Sequence, residues 1–385
     1  MSAIISGRKV LKKLNESGYD AYFVGGMVRD VLLGRNVYDS DITTNAAPEA
    51  VMNLFDKVYA TGLKHGTVTV IMDDQNVEVT TFRLDGEYLD NRHPEEVFFT
   101  RSLTEDLARR DFTINAMAQE MDGTIIDPYN GKDDLEAGII RAVGDPEERF
   151  KEDALRILRG IRFVAKLGFN IENETLKAIK KCRHLLANLS LERIRKEFEG
   201  ILSSAEYGTF ALEFIVQNSI FEYIPFFSVL MKFKNLNRIN QTVTLFDVVA
   251  FELENPTAFL SEFPFTKKEK KTVQILLSIR DEVLDERLIL YRFGFSVLYQ
   301  RHLLNCFYQN KDFGFKLPNL VINSRADLAI GPKEVIELSK KTSGAWVGKL
   351  FAEIEEAVIL EKIENTRTSI LKLIEKRGIL NVEED

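Results

Sequence analysis

Cysteine is nearly missing from this 385-residue chain. Cys182 and Cys306 stand in different regions, with no CxxC motif and no Cys/His cluster, so the sequence argues against structural zinc and a disulfide framework and fits a reducing, cytoplasmic compartment. Long apolar runs are missing as well. No stretch of about 18 apolar residues is available to span a bilayer, although hydrophobic residues make up 45% and charged residues 29% of the chain, the balance of a globular protein. Residues 1–20 have no uninterrupted apolar core of the signal-peptide kind; Arg8, Lys9, Lys12 and Lys13 among single apolar residues read as an amphipathic first helix. Positive charge is scarce overall, with a net charge of −8, but it is unevenly placed: residues 151–200 hold twelve Lys/Arg against seven Asp/Glu. That local +5 can attract polyanions where the average cannot, or can be an ordinary solvated helix face. No internal repeat is apparent.

What is present divides near residue 145. From Tyr19 to about Ile140, short β-rich runs such as AYFV, TVTVIM and VEVTTF alternate with helical ones, which predicts a mixed domain with a small sheet. After Pro146 apolar residues fall at helical spacing almost to the end, with a less regular run at 310–332 and a strongly helical last stretch from Trp346 to Lys376. The fold class is therefore α+β in the first part and all-helical beyond, and the expected divisions are 1–145, 146–205, 206–275 and 276–385.

Several constellations carry chemistry. Gly25-Gly26-Met27-Val28-Arg29-Asp30 follows an apolar run and opens a helix; paired glycines let backbone N–H groups approach a phosphate, and Arg29 adds a fixed charge. Alone, such a turn is an ordinary strand-to-helix connection. Asp39-Ser40-Asp41 enters a short extended run, where residues two apart face the same way, so two carboxylates would sit side by side and call for divalent cations. Glu78, on the alternating run Asn76-Val77-Glu78-Val79-Thr80, can complete that metal site or serve as base if a neighbouring strand brings it alongside.

In Glu105-Asp106-Leu107-Ala108-Arg109-Arg110-Asp111 two adjacent arginines cannot share one helix face; Arg110 is expected to contact phosphate while its neighbour pairs with Asp106 or Glu105. The segment Glu152-Asp153-Ala154-Leu155-Arg156 continues through Arg159 and Arg162. Read as one helix, it places Asp153, Arg156, Arg159 and Arg162 on a slanted polar stripe, since each step of three drifts by roughly 60°. A carboxylate and a guanidinium one turn apart can read a base edge, the first accepting from an exocyclic amine and the second donating to a ring acceptor. Cytosine and adenine offer that pattern; uracil and guanine do not.

Together these residues resemble the class II CCA-adding tRNA nucleotidyltransferases of the polymerase-β-like superfamily. The resemblance rests on GGMVRD, DSD, VEVTTFR, EDLARRDFTINA, IIDPYNG, EDALR and LERIRKEF, in that order over about the first 200 residues. It implies a head with a five-stranded catalytic sheet, a helical neck that selects the nucleotide, and a helical body and tail that hold tRNA, in a homodimer. It further implies Mg2+ at Asp39 and Asp41 with Glu78 as third carboxylate, Gly26, Arg29 and Arg110 along the triphosphate, Asp153 and Arg156 on the base of CTP or ATP, and Arg159 and Arg162 completing the pocket. Related bacterial poly(A) polymerases carry a basic GRRFRL-like stretch soon after the DxD; here Ile42-Thr43-Thr44-Asn45-Ala46-Ala47-Pro48 stands there and disfavours polyadenylation. CC-restricted relatives have a shortened loop after the VEVTTFR strand, whereas the polar run 84–96 is long here and implies competence for A addition; an A-only enzyme keeps the same motifs. None of His65, His93, His184 and His302 is followed by Asp, so no His-Asp phosphohydrolase domain is expected.

Overall fold

The computed structural model describes residues 2–85, 97–204, 206–236, 239 and 242–379. Its contacts group the chain into two compact units, residues 1–242 with 261–264 and residues 243–260 with 265–385. The four-part division expected from sequence is finer than these two units, and its boundary near residue 145 falls inside the first.

The first unit is built on a mixed sheet. Its strands are β1 (Ala21–Val24), β2 (Ser40–Thr44), β3 (Val58–Gly62), β4 (Thr67–Met72), β5 (Gln75–Thr81), β8 (Ala118–Gln119) and β9 (Ile125–Ile126), in the order β3-β4-β5-β2-β1-β8-β9. The five-stranded expectation is met by β3, β4, β5, β2 and β1; the two-residue strands β8 and β9 extend the sheet beyond β1. Within this sheet, among the described residues, only β2 and β5 pair in parallel, placing Asp41 opposite Glu78 and Ile42 opposite Val79; its other pairings are antiparallel. A separate hairpin joins β6 (Arg83–Asp85) to β7 (Val97–Phe99). The polar run 84–96 lies between these strands, and its residues 86–96 fall outside the described ones.

Helix α1 (Ser2–Glu16) covers the sheet, burying Ala3, Val10, Leu11 and Leu14 while its lysines stay in solvent, as an amphipathic pattern requires. The other helices of the head are α2 (Gly26–Leu32), α3 (Pro48–Leu54), α4 (Leu103–Ala108) and α5 (Gly131–Ala137).

Helix α6 (Pro146–Glu152) starts with Asp145 accepting from the N–H groups of Glu147 and Glu148, and with Pro146 in its first turn, where the missing donor costs nothing. It does not run on. Asp153 is extended, at φ −142, and α7 (Leu155–Leu167) starts afresh before ending at Gly168 in the left-handed region, φ 74. The single helix expected over this segment is thus two. Ile157, Leu158, Ile161 and Val164 bury one face of α7, each apolar side chain contributing roughly 1.5–3 kcal/mol. Gly160 lies on that face: a Cβ there would come 2.9 Å from the Phe112 ring, so glycine lets α7 approach the 111–115 segment. Helices α8 (Asn173–Cys182), α9 (Leu191–Leu202) and α10 (Gly208–Gln217) follow, with α9 and α10 packed on α7.

The second unit is helical: α11 (Thr242–Glu252), α12 (Thr257–Glu262, whose last two residues group with the first unit), α13 (Lys267–Ser278), α14 (Glu286–Phe293), α15 (Phe295–Tyr308), α16 (Pro332–Ser339), α17 (Ala345–Ile359) and α18 (Arg367–Lys376). Phe351, Ile354 and Val358 of α17 meet Ile370 and Ile374 of α18 in its core. The stretch expected to be helical from Trp346 to Lys376 is broken between these two, where Glu361 takes φ 58 and Thr366 caps the next helix by accepting from Ser369 N–H. The irregular run foreseen at 310–332 holds one 3-10 turn, Arg325–Asp327, before α16. Among the described residues no helix is long and apolar enough to cross a membrane.

Candidate functional site

The parallel pairing of β2 with β5 sets Asp41 and Glu78 abreast, and Asp39 stands exposed one residue before β2. Ser40 between the aspartates is buried and donates to the Ala3 carbonyl at 2.6 Å, anchoring the strand start on α1. The result is an electrostatically unfavourable cluster. Burial first, then the charges of Glu78 and Asp39, push the Asp41 carboxyl up to about 6, and Arg110 only partly offsets this. Three neighbouring carboxylates form a hard, all-oxygen donor set, which fits a magnesium-type ion better than a soft one.

Beside them, Gly25 adopts φ 68 at the start of α2, and a Cβ there would come 3.1 Å from Arg110 Nη1. Glycine is required on both counts. Arg29 is buried and fully engaged: Nε donates to Asp30 Oδ1 at 2.9 Å and Nη1 to Asn115 Oδ1 at 2.6 Å. Asn115 donates in turn to Asp111, which accepts from Arg159 Nε at 2.7 Å. A continuous chain thus links α2 to α7.

The sequence reading pairs Arg109 with Asp106 or Glu105, and Asp106 is that partner; it receives Arg110 as well. Arg109 donates to it at 3.0 and 2.7 Å, Arg110 at 3.1 Å, and Thr43 Oγ1 at 3.3 Å. The two arginines stand three and four residues after Asp106, the two spacings at which side chains meet on a helical turn. Burial alone would raise Asp106, but the Arg110 and Arg109 charges outweigh it and hold the carboxyl below its usual range. Arg110 Nε remains buried with no hydrogen-bond partner among the described residues.

The break at Asp153 changes the stripe on α7. Asp153 Oδ1 accepts from Leu155 N–H at 3.0 Å and Oδ2 from Arg193 Nη2 at 2.7 Å. Arg156 does not face Asp153; it donates to Glu152 at 2.5 Å and to the carbonyls of Arg149 and Arg109, both at 3.1 Å. Arg162 donates to Glu197 of α9 at 2.6 Å and lies 5.1 Å from the Phe163 ring centre. Each arginine of the stripe therefore has its own acceptor. Burial by itself would raise Asp111, yet Arg159, aided by the Asn115 hydrogen bond, brings it down to about 2.

These groups line one cavity of about 770 Å³, within the range of small-molecule sites. Gly26, Arg29, Asp41, Glu78, Arg110, Asp153, Arg156, Arg159 and Arg162 all border it; of the residues singled out from sequence, only Asp39 does not, though its charge reaches Asp41. Nine Arg/Lys side chains face four Asp/Glu around the wall, so the cavity favours a polyanion despite the acidic chain. Sequence reasoning missed Asp111, Asn115 and Arg193 as members of the wall. Asp111 and Asn115 had a usable signal, being polar and four apart amid the buried Phe112, Ile114 and Ala116.

Comparison with known proteins gives the class first. Residues 21–141 match the Poly A polymerase head domain, and residues 234–374 match tRNA nucleotidyltransferase domain 2. The CCA-adding enzyme of Bacillus cytotoxicus is 37% identical over 393 residues, covering 96% of this chain and 98% of its own. That of Bacillus subtilis is 37% identical over 392 residues, covering 97% and 98%. The structure of the Bacillus stearothermophilus CCA-adding enzyme in complex with CTP superposes with a TM-score of 0.80 at 31% identity, covering 98% of each chain. The chain belongs to the CCA-adding enzyme family.

Proposed function

We propose that this protein adds C, C and A in turn to the 3′ end of tRNA, taking the nucleotides from CTP and ATP without a nucleic-acid template. The observation that carries the reading is one cavity holding an unneutralised carboxylate cluster at one end and a clamped carboxylate, Asp153, among arginines at the other. In the reaction the terminal 3′-oxygen bonds to the α-phosphorus, the bond from that phosphorus to the β-bridging oxygen breaks, and pyrophosphate leaves.

Asp39 and Asp41, with Glu78 beside them, would hold Mg2+. When bound, two such ions lower the pKa of the attacking hydroxyl and neutralise charge on the leaving pyrophosphate. Arg110, with a buried donor still open, and Arg29 above the Gly25-Gly26 turn place positive charge along the triphosphate. Arg159 and Arg162, fixed by Asp111 and Glu197, extend that positive wall.

Selection follows from Asp153. Both of its oxygens accept hydrogen bonds from the protein, which fixes the carboxylate's orientation, and a carboxylate can only accept. It suits the exocyclic amine of cytosine or adenine and repels the carbonyl that uracil or guanine presents, while Arg156 would turn from its protein acceptors to donate to the ring nitrogen. A helical body and tail gripping the tRNA, a homodimeric state and a cytoplasmic setting, which the two free thiols suit, complete the proposal.

The test incubates the protein and Mg2+ with three tRNA transcripts, ending before the triplet, after C and after CC, each given single nucleoside triphosphates and then CTP with ATP. Growth of the first transcript by CCA and no further is the expected result. Extension of the CC-ended transcript alone by one A would mark an A-adding enzyme, and a long A tail a poly(A) polymerase. No extension of any transcript, with no rise of melting temperature on adding Mg2+, would mark a silent RNA-binding relative.

A further inference from the structure

The sequence shows no Cys/His cluster of the familiar CxxC kind, yet the fold of the second unit makes one. His302 and Cys306 lie one turn apart on α15, and His302 Nε2 stands 3.4 Å from Cys306 Sγ. Asp312, from the irregular run after α15, brings a carboxylate oxygen to the same place: the three donor atoms all lie within 4.8 Å of one another. Packing accounts for this. Three residues beyond Asp312, Phe315 sets its ring edge-on against Phe295 at 5.8 Å, Tyr299 at 5.1 Å and His302 at 5.3 Å. Those three rings follow one another along one face of α15, so their packing folds the run back over that face. Gly314 N–H donates to Asp312 Oδ1 at 2.9 Å and fixes the carboxylate further.

We propose that His302, Cys306 and Asp312 form a binding site for a divalent transition ion of the zinc type. A tetrahedral ion at about 2.0 Å from an imidazole nitrogen and about 2.3 Å from a thiolate holds those two donors about 3.5 Å apart, close to the separation here. A hydrogen bond between thiol and imidazole would account for that pair, but not for a third donor of the right type at the same point. The mixed N, S, O set selects zinc-like ions over Mg2+, so the site is chemically distinct from the Asp39, Asp41 and Glu78 cluster. On binding, the Cys306 thiol proton passes to solvent and water takes the fourth position. The bound ion ties the run after α15 to the helix and stabilises the folded chain by mass action.

The experiment titrates the full chain with Co2+ in thiol-free buffer and follows the thiolate-to-cobalt absorption in the near ultraviolet. A band saturating at one equivalent and displaced by Zn2+ is expected. It should vanish in Cys306→Ser and in His302→Gln, and persist in Cys182→Ser and in Asp41→Asn. Asp312→Asn should raise the half-saturating Co2+ concentration at least about tenfold, the lower range for weakening a metal shell. Circular dichroism of the metal-free variants checks folding; should Cys306→Ser fail to fold, His302→Gln and Asp312→Asn decide the matter. Absence of the band in the parent chain, its survival without Cys306 or His302, or unchanged Co2+ affinity in Asp312→Asn would overturn the assignment. None of these outcomes depends on nucleotide addition, so the site and the proposed activity stand or fall separately.

Discussion

The two ends of the cavity treat charge in opposite ways. On β2 and β5, Asp41 and Glu78 stand abreast with like charges, and the Asp41 carboxyl is pushed up to about 6. On α7, each arginine of the stripe has an acidic partner: Arg156 with Glu152, Arg159 with Asp111, Arg162 with Glu197. The first end stores repulsion that a cation from solution relieves. At the second, the side chains are held in place before any ligand arrives, so less conformational entropy is lost when a base or phosphate meets them. One end is unfavourable until filled, and the other is ready in advance.

The comparison is broken most severely at the carboxylates. Asp41→Asn removes a repelling charge, so the metal-free protein should melt at the same temperature or higher, while nucleotide transfer should fall by on the order of a thousandfold or more, as expected when a charge that acts only with bound metal is lost. Single-turnover addition of C and a melting scan, run on the same preparation, check the pair of outcomes. A variant that melts much lower and loses little activity would make Asp41 a structural residue.

At the other end the order reverses, because a removed partner leaves a buried charge behind. Arg159→Leu strands Asp111, whose side chain is 7% exposed, although Arg159 itself is 37% exposed and partly screened by water. The cost should be about 2–3 kcal/mol, below the full penalty for breaking a fully buried pair, and Asp111→Asn in the same chain should recover part of it; denaturant melts measure both. The pH dependence carries a matching sign. With its folded pKa held near 2, Asp111 contributes stability that is fully present above the unfolded value of about 3.9 and is lost as pH falls towards 2. Without Arg159, burial should raise that carboxyl, and the loss should set in at higher pH than in the parent.

How much of this was legible depended on whether a residue's partner lay close in sequence or across the fold. The Gly25-Gly26 turn, the Asp39/Asp41 pair and the alternation around Glu78 each follow from local periodicity, and parallel pairing of β2 with β5 supplies the meeting that alternation only suggests. The stripe through Asp153 misled because spacing by threes looks the same whether or not the helix is continuous; the extended backbone at Asp153 ends α6 before the stripe begins. Asp106 as a shared acceptor is concealed by reading the two arginines as opposed; they stand three and four residues after it, both neighbouring positions on a helical turn. Arg193 stands within LERIRKEF, but nothing local ties it to Asp153, forty residues away, whose carboxylate it holds. His302 and Cys306 are four apart in plain view, but their third donor is brought in by the packing of Phe315.

The smallest predicted effect is the most discriminating. Arg193 touches the Asp153 carboxylate, and its Nη1 is buried without a hydrogen-bond partner among the described residues, so its contribution is to hold that carboxylate in one rotamer. Arg193→Gln leaves a shorter, neutral donor that no longer reaches the carboxylate as the guanidinium does. Asp153 would remain pinned by Leu155 N–H on one oxygen only, free to rotate away from the orientation in which it accepts from an exocyclic amine. Incorporation of UTP relative to CTP should therefore rise by on the order of tenfold, about 1.4 kcal/mol and within the 1–3 kcal/mol range for reading one base edge. Arg193→Lys should restore most of the discrimination. Equal loss of CTP and UTP incorporation would mean that Arg193 supports only the packing of α9 on α7, and the contrast between the two ends of the cavity would then have to rest on Arg156, Arg159 and Arg162 alone.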